Sequence, residues 1–214
     1  IRQLFFACIA LILTCVIPLF LSNVRLIQGL KLFYILAGIL LLAVVAVAGK
    51  TTYGAKINIR IGSVAIQPSE FVKILMVLFI ACMLVKDVSR KQVFKTVVLC
   101  GLMILILAYS RDLGNAMIFY LTLLLMVYAA TQKSGYLVGG AGLFVLAAFV
   151  GYFAFSHVRT RVIAWKDPLS VVDSAGYQIS QSLFAIGSGG WFGTGLYQGM
   201  PKRIPVVGTD FIFS

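Results

Sequence analysis

Four uncharged apolar stretches, Leu4–Leu21, Leu32–Gly49, Leu113–Thr131 and Tyr136–Ser156, decide what this chain can fold into. Each reaches the roughly 18 residues at which an apolar helix can cross the hydrocarbon core of a bilayer. No water is available there to satisfy an open backbone, so such a segment must close its hydrogen bonds within itself as a helix. Two shorter runs, Phe71–Val85 and Thr96–Ser110, reach spanning length only with polar flanks. Lys73, Lys86 and Lys95 would then snorkel toward headgroups or face the bundle interior. The expectation is an all-α integral membrane protein, a polytopic helical bundle. It would have about six spans, near residues 4–21, 32–49, 69–85, 94–110, 113–131 and 136–156, with a polar segment at 157–214.

Composition excludes the soluble classes. Only 11% of the residues are charged, too few to cover the surface of a soluble domain. The net charge of +12 is read as basic loops meeting anionic headgroups rather than as a nucleic-acid surface. Cys8, Cys15, Cys82 and Cys100 all lie in apolar runs without metal-ligand spacing, and His157 is the only histidine, so the cysteines read as packing residues. The first run is long, lacks a small-residue cleavage site and is followed by further spans, unlike a signal peptide. Because the chain opens at Ile1 without Met and stops as an apolar stretch begins at Phe211, it is read as an internal fragment.

Basic residues in short loops orient a membrane protein. The densest cluster is Lys86, Arg90, Lys91 and Lys95, which puts that loop in the cytoplasm together with Ser22–Lys31 and Thr131–Gly135. Lys50–Ser69, Arg111–Asp112 and everything from His157 onward would then face outward, although Lys50, Lys56 and Arg60 are also basic. Within the last segment, Ala175, Ile179, Leu183 and Ile186 recur at helical spacing, with Ser174, Gln178, Gln181 and Ser182 opposite. That pattern predicts an amphipathic helix over Ser174–Ser188, lying along the interface or against the bundle. The glycines at 187, 189, 190, 193, 195 and 199 do not form a phosphate-binding loop, because no Gly-Lys-Ser/Thr follows.

Ionisable residues beside spans are costly and mark candidate sites. In Gln67-Pro68-Ser69-Glu70, Pro68 and Glu70 suit a helix start, and Lys73 is one turn on from Glu70, near enough to pair. Ser110-Arg111-Asp112-Leu113-Gly114-Asn115 falls where one apolar run ends and the next begins, as a solvated turn or a polar site. Asp210, in Thr209-Asp210-Phe211, is a carboxylate at the mouth of an apolar run, close to Lys202 and Arg203. It is the strongest general-base candidate among six acidic residues, with helix capping as the structural alternative.

Taken together these stretches resemble the SEDS family (shape, elongation, division and sporulation) of RodA, FtsW and SpoVE. The resemblance is carried by Gly54-Ala55, Ile59-Arg60-Ile61-Gly62, Gln67-Pro68-Ser69-Glu70 with Lys73, and Asp112-Leu113-Gly114. It continues through Gly176-Tyr177-Gln178 with Gln181-Ser182, Ala185-Ile186-Gly187-Ser188-Gly189-Gly190, and Thr209-Asp210-Phe211-Ile212-Phe213. The resemblance implies a bundle of about ten helices in the bacterial cytoplasmic membrane, of which this chain would be an internal part. It further implies a peptidoglycan glycosyltransferase that polymerises lipid II, an undecaprenyl-pyrophosphate-linked disaccharide peptide, beside a class B penicillin-binding protein. Going from an α-linked pyrophosphate to a β-linked glycan implies one inverting displacement, with Asp210 matching the aspartate assigned to catalysis. Arg60, Lys73, Lys202, Arg203 or a divalent cation would offset the leaving pyrophosphate. Glu70 and Asp112 complete the implied substrate site. Two departures mark a divergent member: Asn58 where many members have Trp, and Pro205-Val206-Val207-Gly208-Thr209-Asp210 where many have Pro-Glu-x-His-Thr-Asp. A flippase for lipid-linked precursors and a non-catalytic scaffold are the rival functions.

Overall fold

A computed structural model describes residues 7–12, 14–16, 24–52, 55–61, 64–195 and 198. Helical residues at 7–12 and 14–16 form α1. They are followed by α2 (Val24–Gly29) and α3 (Lys31–Ala48). Three short strands come next, β1 (Lys50–Thr52), β2 (Ala55–Ile61) and β3 (Val64–Ile66), and then α4 (Pro68–Leu84), α5 (Arg90–Tyr109) and α6 (Leu113–Thr131). The order closes with α7 (Ser134–Ala154), α8 (Ser156–Lys166) and α9 (Tyr177–Gly189). Five of the six apolar runs thus coincide with long helices. Among the described residues α5, α6 and α7 are long and apolar enough to cross a membrane. The six-span count therefore rests on the apolar runs.

The chain divides into two units, residues 1–140 and 141–214. In the first, α3 packs against α4 and α5, and α6 packs against α4 and α5. Their shared core includes Val72, Met76, Phe79 and Ile80 of α4, Cys100 and Met103 of α5, and Phe119 of α6. Gly38 lets α3 come close: a Cβ there would run into the end of Met103 and lie 3.3 Å from Val72 Cγ1. Gln92 ties the α4–α5 hairpin by donating from its amide nitrogen to the Met83 carbonyl at 3.1 Å.

The segment expected as an outer loop at Lys50–Ser69 contains an antiparallel meander, in the order β1-β2-β3. It pairs Lys50 with Asn58 and Arg60 with Ala65. The basic cluster also differs from its expected setting in a loop. The turn between α4 and α5 is short, so Arg90, Lys91 and Lys95 lie in the first two turns of α5. Ser89 starts that helix by accepting from the Gln92 N–H at 3.3 Å, and Asp87 in turn holds the Ser89 N–H and hydroxyl.

In the second unit the polar segment after α7 is more helical than its sequence suggested. After an extended residue at Phe155 the chain re-enters a helix, α8. Arg159 stacks over Tyr152 with its guanidinium carbon 5.6 Å from the ring centre, and donates to the Phe153 carbonyl at 3.4 Å. The helix expected over Ser174–Ser188 is α9 and starts at Tyr177, because residues 168–176 form a turn. Gly176 is required there: a Cβ would strike the Pro168 carbonyl. In α9 two serines face in and three large apolar residues face out. Ser180 and Ser182 are buried while Leu183, Phe184 and Ile186 are exposed, and the Ser180 hydroxyl donates to the Pro168 carbonyl at 3.0 Å.

Candidate functional site

The start of α4 is built as its sequence dictates. Pro68 occupies the first turn, where its missing N–H costs nothing, and Glu70 stands at the positive end of the helix. Lys73, one turn on, reaches back to grip the carboxylate with Nζ 3.1 Å from Oε1 and 3.0 Å from Oε2. Among the described residues this is the one ion pair. It is half open, with the Glu70 side chain 56% exposed and Lys73 27%, so on its own it adds well under about 1 kcal/mol of stability. Its significance is positional: a fixed carboxylate and a cation held at one helix start.

Beside it lies a second polar group. Helix α5 ends and α6 begins across three residues, Ser110, Arg111 and Asp112. The Arg111 N–H bonds to the Ala108 carbonyl and the Asp112 N–H to the Leu107 carbonyl, both at 3.0 Å. This is the closing pattern that commonly uses glycine at the left-handed position. Here a non-glycine residue takes it, Arg111 at φ 62°. Asp112 then serves the next helix: its Oδ1 accepts from the Asn115 N–H at 3.3 Å and caps α6.

The two groups are joined by Asn115. Its side-chain amide donates to Asp112 Oδ2 at 2.9 Å and to Ser69 Oγ at 3.3 Å. Ser69 and Asn115 are both buried. A buried Asn placed between two acceptors uses both of its amide hydrogens, which is how such a group is retained in an apolar setting. The result is a network from Asp112 through Asn115 to Ser69, the residue before Glu70, so α4 and α6 start at the same end of the bundle. Strand β2 packs against α3 and α4, and β3 runs directly into α4 through Gln67.

Of the residues expected at the site, the structure therefore brings Glu70, Lys73 and Asp112 to one end of the bundle. Arg60 sits in β2 opposite Ala65, and its side chain is not among those described. Lys202, Arg203 and Asp210 lie outside the described residues. Sequence reasoning passed over Ser69 and Asn115 as site residues. The available signal was an Asn near the start of a membrane-length apolar helix. Among the described residues no three His, Cys, Asp or Glu side chains gather as metal ligands would.

Apolar helices, three of the described ones long enough to cross a membrane, with Ser69, Asp112 and Asn115 joined at one end of the α3–α6 bundle, define a multi-pass membrane protein. The family model of the FtsW/RodA/SpoVE cell cycle proteins matches residues 1–214. The chain belongs to that family, a multi-pass one of the bacterial cytoplasmic membrane. It is 38% identical over 205 residues to the peptidoglycan glycosyltransferase RodA of Mycobacterium bovis, covering 84% of this chain and 42% of the relative. It is 32% identical over 201 residues to the probable peptidoglycan glycosyltransferase FtsW of Allochromatium vinosum, covering 86% of this chain and 48% of that one. The chain thus spans less than half the length of either relative. A solved chain from a peptidoglycan synthase complex superposes with a TM-score of 0.64 at 24% identity, over 86% of this chain and 56% of that one, and shares the fold.

Proposed function

We propose that this chain is part of a peptidoglycan glycosyltransferase that polymerises lipid II at the outer face of the cytoplasmic membrane. The observation that carries the reading is the match to relatives named as peptidoglycan glycosyltransferases, RodA at 38% identity and FtsW at 32%. The polar group of Ser69, Asp112 and Asn115, with the Glu70–Lys73 pair, at one end of an apolar bundle supports it, because a polyprenyl-linked sugar needs an apolar flank beside a polar reacting end. In this reading a sugar hydroxyl of the acceptor attacks the anomeric carbon of the donor, and the bond from that carbon to the pyrophosphate oxygen breaks. The pyrophosphate leaves with the electron pair, and Asp210 takes the proton of the attacking hydroxyl.

Lys73, held toward Glu70, is the cation best suited to meet the pyrophosphate charge, with Arg60, Lys202 and Arg203 as further candidates and a divalent cation as the other source of countercharge. Glu70 fixes Lys73, while Asp112 holds the α6 end of the same polar group. The site-bearing end would face outward, with the α4–α5 turn and the α6–α7 turn in the cytoplasm. The partner is a class B penicillin-binding protein, which crosslinks the strands. The test is glycan formation from purified lipid II by the full-length protein with that partner. Polymer made by the wild type and largely lost in Lys73→Ala, at equal amounts of folded protein, is the expected result. Full polymerisation by Lys73→Ala would remove Lys73 from the site, and no polymer from the wild-type pair would refute the activity.

A further inference from the structure

The first turns of α4 and α5 are opposites. Helix α4 begins with Glu70 at its positive end, whereas α5 begins with Arg90 and Lys91, has no acidic residue in its first turn, and adds Lys95 one turn on. Cations at a helix N-terminus oppose its dipole, and Lys91 and Lys95, four residues apart on one face, repel each other. Among the described residues none of the three has an ion-pair partner, and the nearby Asp87 carboxylate is engaged by the Ser89 N–H and hydroxyl. All three cations are exposed. Three exposed cations beside the single Asp87 carboxylate leave an excess of positive charge for an anion from outside to meet.

The face that carries Lys91 and Lys95 says what kind of anion. Continuing at three- and four-residue spacing, it presents Phe94, Val98, Leu102 and Leu105, of which Phe94 is 70% exposed and Leu105 67%. The opposite face, Val93, Thr96, Cys100, Met103 and Leu107, is the one buried in the bundle. The exposed stripe ends at Tyr109, 83% exposed, where an interfacial aromatic belongs. Lys91 and Tyr109 are about 27 Å apart at helical rise, close to the thickness of the hydrocarbon core. A pair of cations, an unbroken apolar strip and an interfacial tyrosine match, in order, a headgroup, an acyl chain and the far interface.

We propose that this face of α5 is a binding site for an anionic phospholipid, with the phosphate held between Lys91 and Lys95 and an acyl chain lying along Phe94, Val98, Leu102 and Leu105. A soluble anion would use the cations and leave the apolar strip unexplained, and an acidic protein segment would not follow the helix to its far end.

The experiment is native mass spectrometry of the full-length protein in detergent, titrated with phosphatidylglycerol or with phosphatidylcholine of the same acyl chains. The wild type is expected to bind phosphatidylglycerol at its tightest site at least roughly tenfold more strongly than phosphatidylcholine. Lys91→Gln/Lys95→Gln should bring that preference to within about twofold, each single variant should fall between, and Lys166→Gln on α8 should leave it unchanged. Should the double variant fail to fold, the single variants carry the same comparison. A preference that stays at the wild-type level after loss of either lysine overturns the proposal. So does an equal loss in Lys166→Gln, which would mean that net charge rather than a site is read. Competition by inorganic phosphate or by a soluble acidic peptide as effective as the lipid itself also overturns it.

Discussion

The bundle of α3–α6 and the run of α7–α9 both carry exposed apolar side chains yet differ in what they bury. In the first, each of α3 to α6 hides one face, and the hidden residues include polar ones, Ser69, Thr96 and Asn115, each bonded within the protein. In the second, α7 buries no residue, and α9 buries Ser180 and Ser182 while Leu183, Phe184 and Ile186 stay exposed. Apolarity therefore does not tell a membrane helix which way to face, since lipid is as good a solvent for Leu as a protein core is. The buried face is marked instead by groups that need a partner: Ser180 on Pro168, Asn115 on Ser69 and Asp112, Thr96 on its own helix.

The comparison is sharpest where a large side chain is removed from each region. Phe119 is fully buried in the bundle, whereas Phe149 of α7 is 63% exposed. Phe119→Ala should cost about 3 kcal/mol through the cavity it leaves, read as a lowered midpoint of thermal unfolding in the full-length protein. Phe149→Ala should stay within about 0.5 kcal/mol of wild type by the same measurement. Equal losses would mean that α7 is buried by parts of the protein beyond this chain, and the contrast would disappear.

Next in size is the polar network. Asn115→Leu keeps the volume but leaves Ser69 and Asp112 each short of a donor, so stability should fall by about 1–2 kcal/mol. A double-mutant cycle of Ser69→Ala with Asn115→Ala should return a coupling of about 0.6 kcal/mol, the usual size for a bond between membrane helices. Zero coupling would mean that the two helix starts are held by packing alone.

Ser180→Ala tests the matching element of the second region and should cost about 1 kcal/mol, because it leaves the Pro168 carbonyl without its donor. Smallest is Arg111→Gly. Glycine adopts the left-handed conformation without strain, so the variant should gain about 0.5 kcal/mol. A loss there would show that the Arg111 side chain has a partner whose loss outweighs the relief.

Much of the bundle was legible because hydrocarbon permits so few backbone structures: each uncharged run of sufficient length had to be helical. What escaped has physical reasons. The meander at residues 50–66 carries a period-two alternation, Ile57, Ile59 and Ile61 among Lys56, Asn58 and Arg60, short enough to pass for an outer loop beside runs of spanning length. The extension of α5 back through Arg90 and Lys91 was hidden because charge was taken to mark the helix end, whereas the Ser89 cap sets it. For the site, the Glu70–Lys73 pair could be read from its spacing, being local. The Ser69–Asn115 bond could not, since it joins residues 46 apart in sequence and depends on two helices starting side by side.

The proposed function makes the full-length protein a polymerase whose base is Asp210, and the measurement that tests it most directly is lipid II polymerisation by full-length Asp210→Asn beside the wild type. Asn caps a helix about as well as Asp but cannot accept the proton. With expression and thermal midpoint unchanged, the account predicts a loss in rate of roughly a hundredfold or more. A near-normal rate at normal expression would contradict it and leave Asp210 as the cap of the segment that begins at Phe211.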